Sequence, residues 1–324
     1  EEGGGAGRGP PGSSLDCGVA MTRAVFPALL LIVSVAPLDA TQDPPVFKSR
    51  SDIVQIHVNV FNGDSDAVTG LTRENFLVFE DGRNQQITFF SSEDVPVAVG
   101  LVVDNSSSMI SKGPLVTGGG MAFAESSHPE DELFVVSFNE HVRHALPATQ
   151  PFTSSRALLR ATLAGLGAGG KTALFDAVID ALDHVEKATH QKHVIVVLSD
   201  GDDNASRHTR EEMYDRAERS DAIIYTVATS DPRYAGGGEP PVLRQLAENG
   251  GVMAYFPRSR EQVVNVFMEM AENIRRGYSI GYTPTNTARD GRFRRIKLMV
   301  RANGKSLTAR YRDGYTAPGP TSTK

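Results

Sequence analysis

PVAVGLVVDNSSSM, residues 96–109, places an acid and three consecutive hydroxyls directly behind an apolar run. The run VAVGLVV (97–103) is continuously apolar and rich in β-branched residues, the pattern of a strand buried on both faces. LFVVSF (133–138), HVIVVLS (193–199) and AIIYTVA (222–228) read the same way. Helical patterns lie between them. In LFDAVIDALDHV, positions Leu174, Val178, Ala181, Leu182 and Val185 fall on one helical stripe. Thr209 with Glu212, and Ser259 with Gln262, have capping-box spacing at helix starts, and Gly277 can end the second helix. Strands alternating with helices predict an α/β, doubly wound, mainly parallel sheet over residues 95–276. Pro114 and glycines 118–120 are poor helix formers. The helix expected behind DNSSSM should therefore start late or be irregular.

The flanks follow a different grammar. In DIVQIHVNVFN (52–62), Val54, Ile56, Val58 and Val60 point one way while Gln55, His57 and Asn59 point the other. That is a half-buried strand. FLVFEDGRNQQITFF (76–90) carries Asp81-Gly82 between two strand-like runs, which suits a tight hairpin. YSIGYTP (278–284), RRIKLMV (294–300) and LTARYR (307–312) are strand-like, with a turn at Asn303-Gly304. Residues 45–93 are short for an independent core. They are expected to join residues 277–318 in one β-rich domain, with the α/β domain inserted between them. Residues 319–324 read as a disordered tail.

Residues 1–20 are Gly-rich and aperiodic and read as a non-native or disordered extension. MTRAVFPALLLIVSVAPLDA (21–40) has a basic start at Arg23, an apolar stretch from Ala24 to Val35 and a small residue at Ala40. This is a signal-peptide pattern, although Leu38 is bulky where a small residue is preferred. The apolar run is short for a bilayer span. Export to the periplasm or the extracellular space is expected, with no stable span after cleavage. Cys17 is the sole cysteine and lies upstream of this segment, so the mature chain would have neither disulfides nor thiolate chemistry. A formal net charge of -6 gives no electrostatic case for nucleic acid.

Ligands of an open parallel sheet collect beyond the C-terminal strand ends. DNSSSM lies there, and GAGGKTAL (167–174) and LSDGDDN (198–204) should reach the same edge. Together they offer Asp104, Ser106, Ser108, Thr172 and Asp200, all oxygen donors. Such a set suits a hard cation, Mg²⁺, Ca²⁺ or Mn²⁺. Two carboxylates do little more than cancel the ion's formal charge, and less if they act through water. An open position would then suit a carboxylate from another molecule. Asp202 and Asp203 read as exposed loop acids. A serine nucleophile would need a base and an oxyanion hole, and there is no GxSxG around Ser106 or Ser108. GLGAGGKT (165–172) fits the phosphate-loop pattern literally, which makes nucleotide hydrolysis the sharpest rival. A phosphate loop follows a strand, whereas RALLRATLAGL reads as a helix.

Asp104, Ser106 and Ser108 in D-x-S-x-S, then Thr172 in a Gly-rich loop, then Asp200 in an SDG turn resemble the metal-ion-dependent adhesion site of von Willebrand factor type A domains. The flanks 46–318 resemble the related proteins abundant in Acidobacteria. The resemblance implies a Rossmann-like fold. It implies direct or nearly direct coordination by the serines and threonine, aspartates acting through water, and a partner carboxylate completing the octahedron. Ser107 stands where that family usually has glycine. The expectation is an exported, non-enzymatic binding protein that uses Mg²⁺ (or Ca²⁺ or Mn²⁺) to hold an acidic side chain of a protein ligand. The alternatives are a structural or envelope-assembly module with an inert site, and an accessory subunit of AAA-type ATPases, which the signal pattern disfavours.

Overall fold

Continuous and alternating apolar runs sort the strands into two sheets. The computed structural model describes residues 53–63, 66–92, 94–228 and 240–319. The extension at 1–20, the signal pattern at 21–40 and residues 320–324 lie outside the described residues. In chain order, β1 is Val54–Asn62, β2 Asp66–Ala67, β3 Phe76–Glu80, β4 Arg83–Gln85 and β5 Ile87–Ser91. The α/β part runs β6 (Ala98–Asp104), α1 (Gly113–Ser126), β7 (Glu132–Phe138), β8 (Val142–His144), α2 (Arg156–Ala164), α3 (Leu174–Val185) and β9 (His193–Ser199). It continues with α4 (Arg210–Arg219), β10 (Ile223–Ala228), α5 (Pro241–Asn249), β11 (Ala254–Tyr255) and α6 (Arg260–Arg276). The chain then returns to β12 (Tyr278–Tyr282), β13 (Phe293–Ala302), β14 (Lys305–Tyr311) and β15 (Gly314–Thr316).

The second sheet has the order β11-β10-β9-β6-β7-β8. Its pairs are parallel except at the edge, where β8 runs antiparallel to β7, so the sheet is mixed. Successive β6 residues face opposite layers. Val97, Val99, Leu101 and Val103 pack with residues of α1, α2 and α6. Ala98 and Val102 pack with residues of α3, α4 and α5. From β6 the chain moves to β7 on one side, whereas from β9 it moves to β10 on the other. The order reverses between β6 and β9, and a crevice opens at such a point beyond the strand C-termini. Asp104 ends β6 and Asp200 follows β9.

The helix behind DNSSSM is more regular than its composition suggests. A 3-10 turn at Ser107–Lys112 leads into α1, with Pro114 in the first turn, where a missing N–H costs little. Packing compensates for the glycines. A methyl at Gly119 would lie 2.5 Å from the Phe267 ring of α6, and one at Gly120 would lie 2.7 Å from Leu163 of α2. The glycines bring both helices close.

The first sheet is antiparallel, in the order β4-β3-β13-β14-β1-β12-β5, with β15 on β13 and β2 on β1. Strands from both ends of the described chain interleave in it. It folds over on itself: Tyr282 of β12 and Tyr315 of β15 both donate to Glu80 Oε2 of β3, at 2.8 and 2.9 Å. Asp81 and Gly82 at the β3–β4 turn, and Asn303 and Gly304 at the β13–β14 turn, all have positive φ, as tight hairpins require. This sheet meets the N-terminal edge of the parallel one. Arg312 donates to the carbonyls of Glu218 and Ser220 at the end of α4, satisfying carbonyls the helix leaves free. His57 of β1 lies within electrostatic reach of Lys192, His193 and Asp221, beside the starts of β9 and β10. DNSSSM is at the opposite edge. Among the described residues no helix is long and apolar enough to cross a membrane.

Candidate metal centre

β6 carries Asp104 to the sheet edge with only 1% of its surface exposed. Its Oδ1 accepts from the Ser106 N–H at 2.8 Å, and its Oδ2 accepts from the Ser199 hydroxyl at 2.6 Å. Ser106 and Ser108 hold their hydroxyl oxygens 3.0 Å apart. Asn105 fastens this loop to β7: its N–H donates to the Phe138 carbonyl at 2.7 Å and its amide to Ser137 Oγ at 2.8 Å.

Ser107 acts as a clamp. Its N–H donates to the Gly170 carbonyl at 3.1 Å, and its hydroxyl accepts from the Gly170 N–H at 3.0 Å. Gly169 adds a bond to the Asn105 carbonyl at 2.7 Å. The Ser107 side chain therefore ties the first loop to the threonine loop. The latter is tied in turn to the third: Thr172 N–H donates to Asn204 Oδ1 at 3.0 Å, and the Thr172 carbonyl accepts from Asn204 and Ala205. All three polar loops thus meet at one edge, with Thr172 buried.

Asp200 is the least satisfied member. Its Oδ1 is buried and has no hydrogen-bond partner, while its Oδ2 lies 3.4 Å from Lys112 Nζ. Burial raises the Asp104 pKa, the hydrogen bonds from Ser106 and Ser199 oppose the rise, and the charge of Asp200 adds to it. An orphaned carboxylate oxygen, a second carboxylate close enough to repel it, and three hydroxyls fit a hard divalent cation. Among the described residues no group of three or more His, Cys, Asp or Glu could hold a metal ion. The present set has two carboxylates, and its other three donors are hydroxyls.

The phosphate-loop reading does not match the local structure. GLGAGGKT follows α2 rather than a strand, and the exposed Lys171 donates its N–H to Glu140 Oε2 at 2.9 Å. Asp202 is exposed as expected. Asp203 differs: it accepts from the Phe175 N–H at 3.0 Å and the Ser206 hydroxyl at 2.6 Å, so it caps α3. Sequence reasoning did not single out Ser199 or Lys112. Ser199 stands in the same SDG turn as Asp200, and Lys112 stands in a stretch weighed only for helix propensity.

No curated protein matches the chain. Solved structures similar to it include a von Willebrand factor type A protein from Catenulispora acidiphila, at 16% identity and TM-score 0.48, covering 86% of this chain and 76% of that one. The von Willebrand domain of the type V pili tip protein Mfa5 from Porphyromonas gingivalis aligns at 14% identity and TM-score 0.46, covering 56% of this chain and 95% of that one. Proximal thread matrix protein 1 from the mussel byssus, with a zinc-occupied MIDAS motif, aligns at 16% identity and TM-score 0.45, covering 60% and 49%. The family model of the von Willebrand factor type A domain matches residues 99–269, which is more than half of the 324 residues, and the chain belongs to that family.

Proposed function

We propose that this chain is an exported, non-enzymatic binding protein. Asp104, Ser106, Ser108, Thr172 and Asp200 would hold Mg²⁺, or else Ca²⁺ or Mn²⁺, and an acidic side chain of a protein partner would dock there. The observation that carries this reading is the buried, unpartnered Oδ1 of Asp200, on a carboxylate whose charge acts on the buried Asp104. The bound cation would supply a positive position that a partner carboxylate can fill. Ser107, Asn105 and Asn204 keep the three loops in register, so the donors are set before the ion arrives. Export rests on the pattern at 21–40. We also propose the division into an α/β domain, 95–276, inserted in a β-rich domain built from 45–93 and 277–318.

The Lys112 ammonium beside Asp200 favours a second reading, a structural or envelope-assembly module with an inert site. Isothermal titration of Mg²⁺, Ca²⁺ and Mn²⁺ into metal-stripped protein, beside Asp104→Ala, separates the two. Saturable binding lost in the variant is the expected result. Absence of saturable binding to the unaltered protein would leave the inert scaffold, unless removing the Lys112 charge restores binding.

A further inference from the structure

Lys112 stands at the end of the 3-10 turn that carries Ser108, immediately before α1. Its Nζ reaches back to Asp200 Oδ2 across the crevice at 3.4 Å, and both side chains are only 12% exposed. At that burial, salt and water screen the pair weakly. The separation is also long for a hydrogen bond, so the contact is chiefly one of charge. Lys112 is thus a cation that the chain itself places beside Asp200.

We infer that Lys112 is a built-in competitor for the cation position: its ammonium pairs with Asp200 in the metal-free protein and must withdraw when a divalent ion is held. The inference rests on the proposed metal site and assigns its regulation. With Asp104 and Asp200 ionised, the two carboxylates alone present a charge of about −2, and with Lys112 the crevice presents about −1. An ammonium left near a divalent ion repels it, so the lysine lowers affinity whether it stays or has to be moved. Withdrawal is feasible because a lysine stem is flexible and its charge seeks water. The adjoining Ile110 is exposed, which places this turn at the surface. Such a site holds its loops together without metal and loads only when cation is abundant. A permanently loaded centre would have no use for the lysine.

The test compares the unaltered protein with Lys112→Met and Lys112→Arg by calorimetric titration with Mg²⁺ and Mn²⁺, together with melting curves with and without the ion. Lys112→Met should tighten cation binding about tenfold or more. It should also melt lower than the unaltered protein without metal and gain more on metal addition. Lys112→Arg keeps the charge and should not tighten binding. Lys112→Gln is the second variant if the methionine form is poorly folded. Saturable binding by the unaltered protein with unchanged affinity in Lys112→Met and Lys112→Gln would overturn the inference and leave the metal site standing. Binding by Lys112→Met alone would support the inference in its strongest form. No binding by any folded variant would overturn both readings.

Discussion

Ser199 holds one buried oxygen of the Asp104 carboxylate. Its hydroxyl gives the carboxylate its shortest hydrogen bond, 2.6 Å, and accepts from the Gly201 N–H at 3.1 Å. Ser199→Ala would leave a buried carboxylate oxygen with one donor fewer while burial still disfavours its charge. Stability should fall by about 1–3 kcal/mol, read from chemical denaturation. Cation affinity should fall with it, because a carboxylate more often protonated is a poorer ligand. The place of the five candidate donors at the sheet edge was legible because each follows an apolar run or sits in a polar loop whose place on an α/β sheet is set by topology. Ser107, Ser199 and Lys112 were not legible as parts of the site. Their roles depend on distances between loops that are 60 to 95 residues apart in the chain, as for Ser107 with Gly170 and Asp104 with Ser199.

At the scale of elements, α1 shows where propensity yields to packing. Gly118 and Gly119 are neighbours with the same intrinsic cost, yet a methyl at Gly118 meets nothing within 4 Å and one at Gly119 meets the Phe267 ring at 2.5 Å. Alanine gains about 0.5–1 kcal/mol over glycine inside a helix. Overpacking a core typically costs about 1–3 kcal/mol. Thermal melts should therefore show Gly118→Ala stabilised and Gly119→Ala destabilised. A composition-based reading treats the two alike, which is why the helix was expected to be irregular. The turns were legible because Asp-Gly and Asn-Gly state their backbone angles directly.

At the scale of the whole molecule, the junction at the N-terminal edge of the parallel sheet sets an acid limit. Burial pushes the His57 pKa down to about 3, and the charge of Lys192 adds to the effect. Below pH 6.5 the unfolded chain takes up a proton that the folded chain refuses, so this stability is present above pH 6.5 and is lost as pH falls towards 3. Its part-buried ring keeps the loss at about 1–2 kcal/mol by pH 5. Burial also lowers His193, but the hydrogen bond and charge of Asp221 outweigh it and raise that pKa, which works in the opposite direction. Denaturation of His57→Asn at pH 7.5 and pH 5 isolates the His57 share: the variant should lose less stability between the two. The strands around this junction bear on a mechanical question. The α/β part leaves β5 at Ser91 and re-enters at Tyr278, and Ser91 faces Ser279 across the β5–β12 pair. Chain upstream of β1 enters at Val54, which faces Tyr282, at the far end of β12. A pull between a captured partner and that upstream chain would therefore draw β12 and β1 in opposite directions along their lengths. Their cross-strand bonds lie across that line of force and would carry the load together, so the pair is built as a shear clamp.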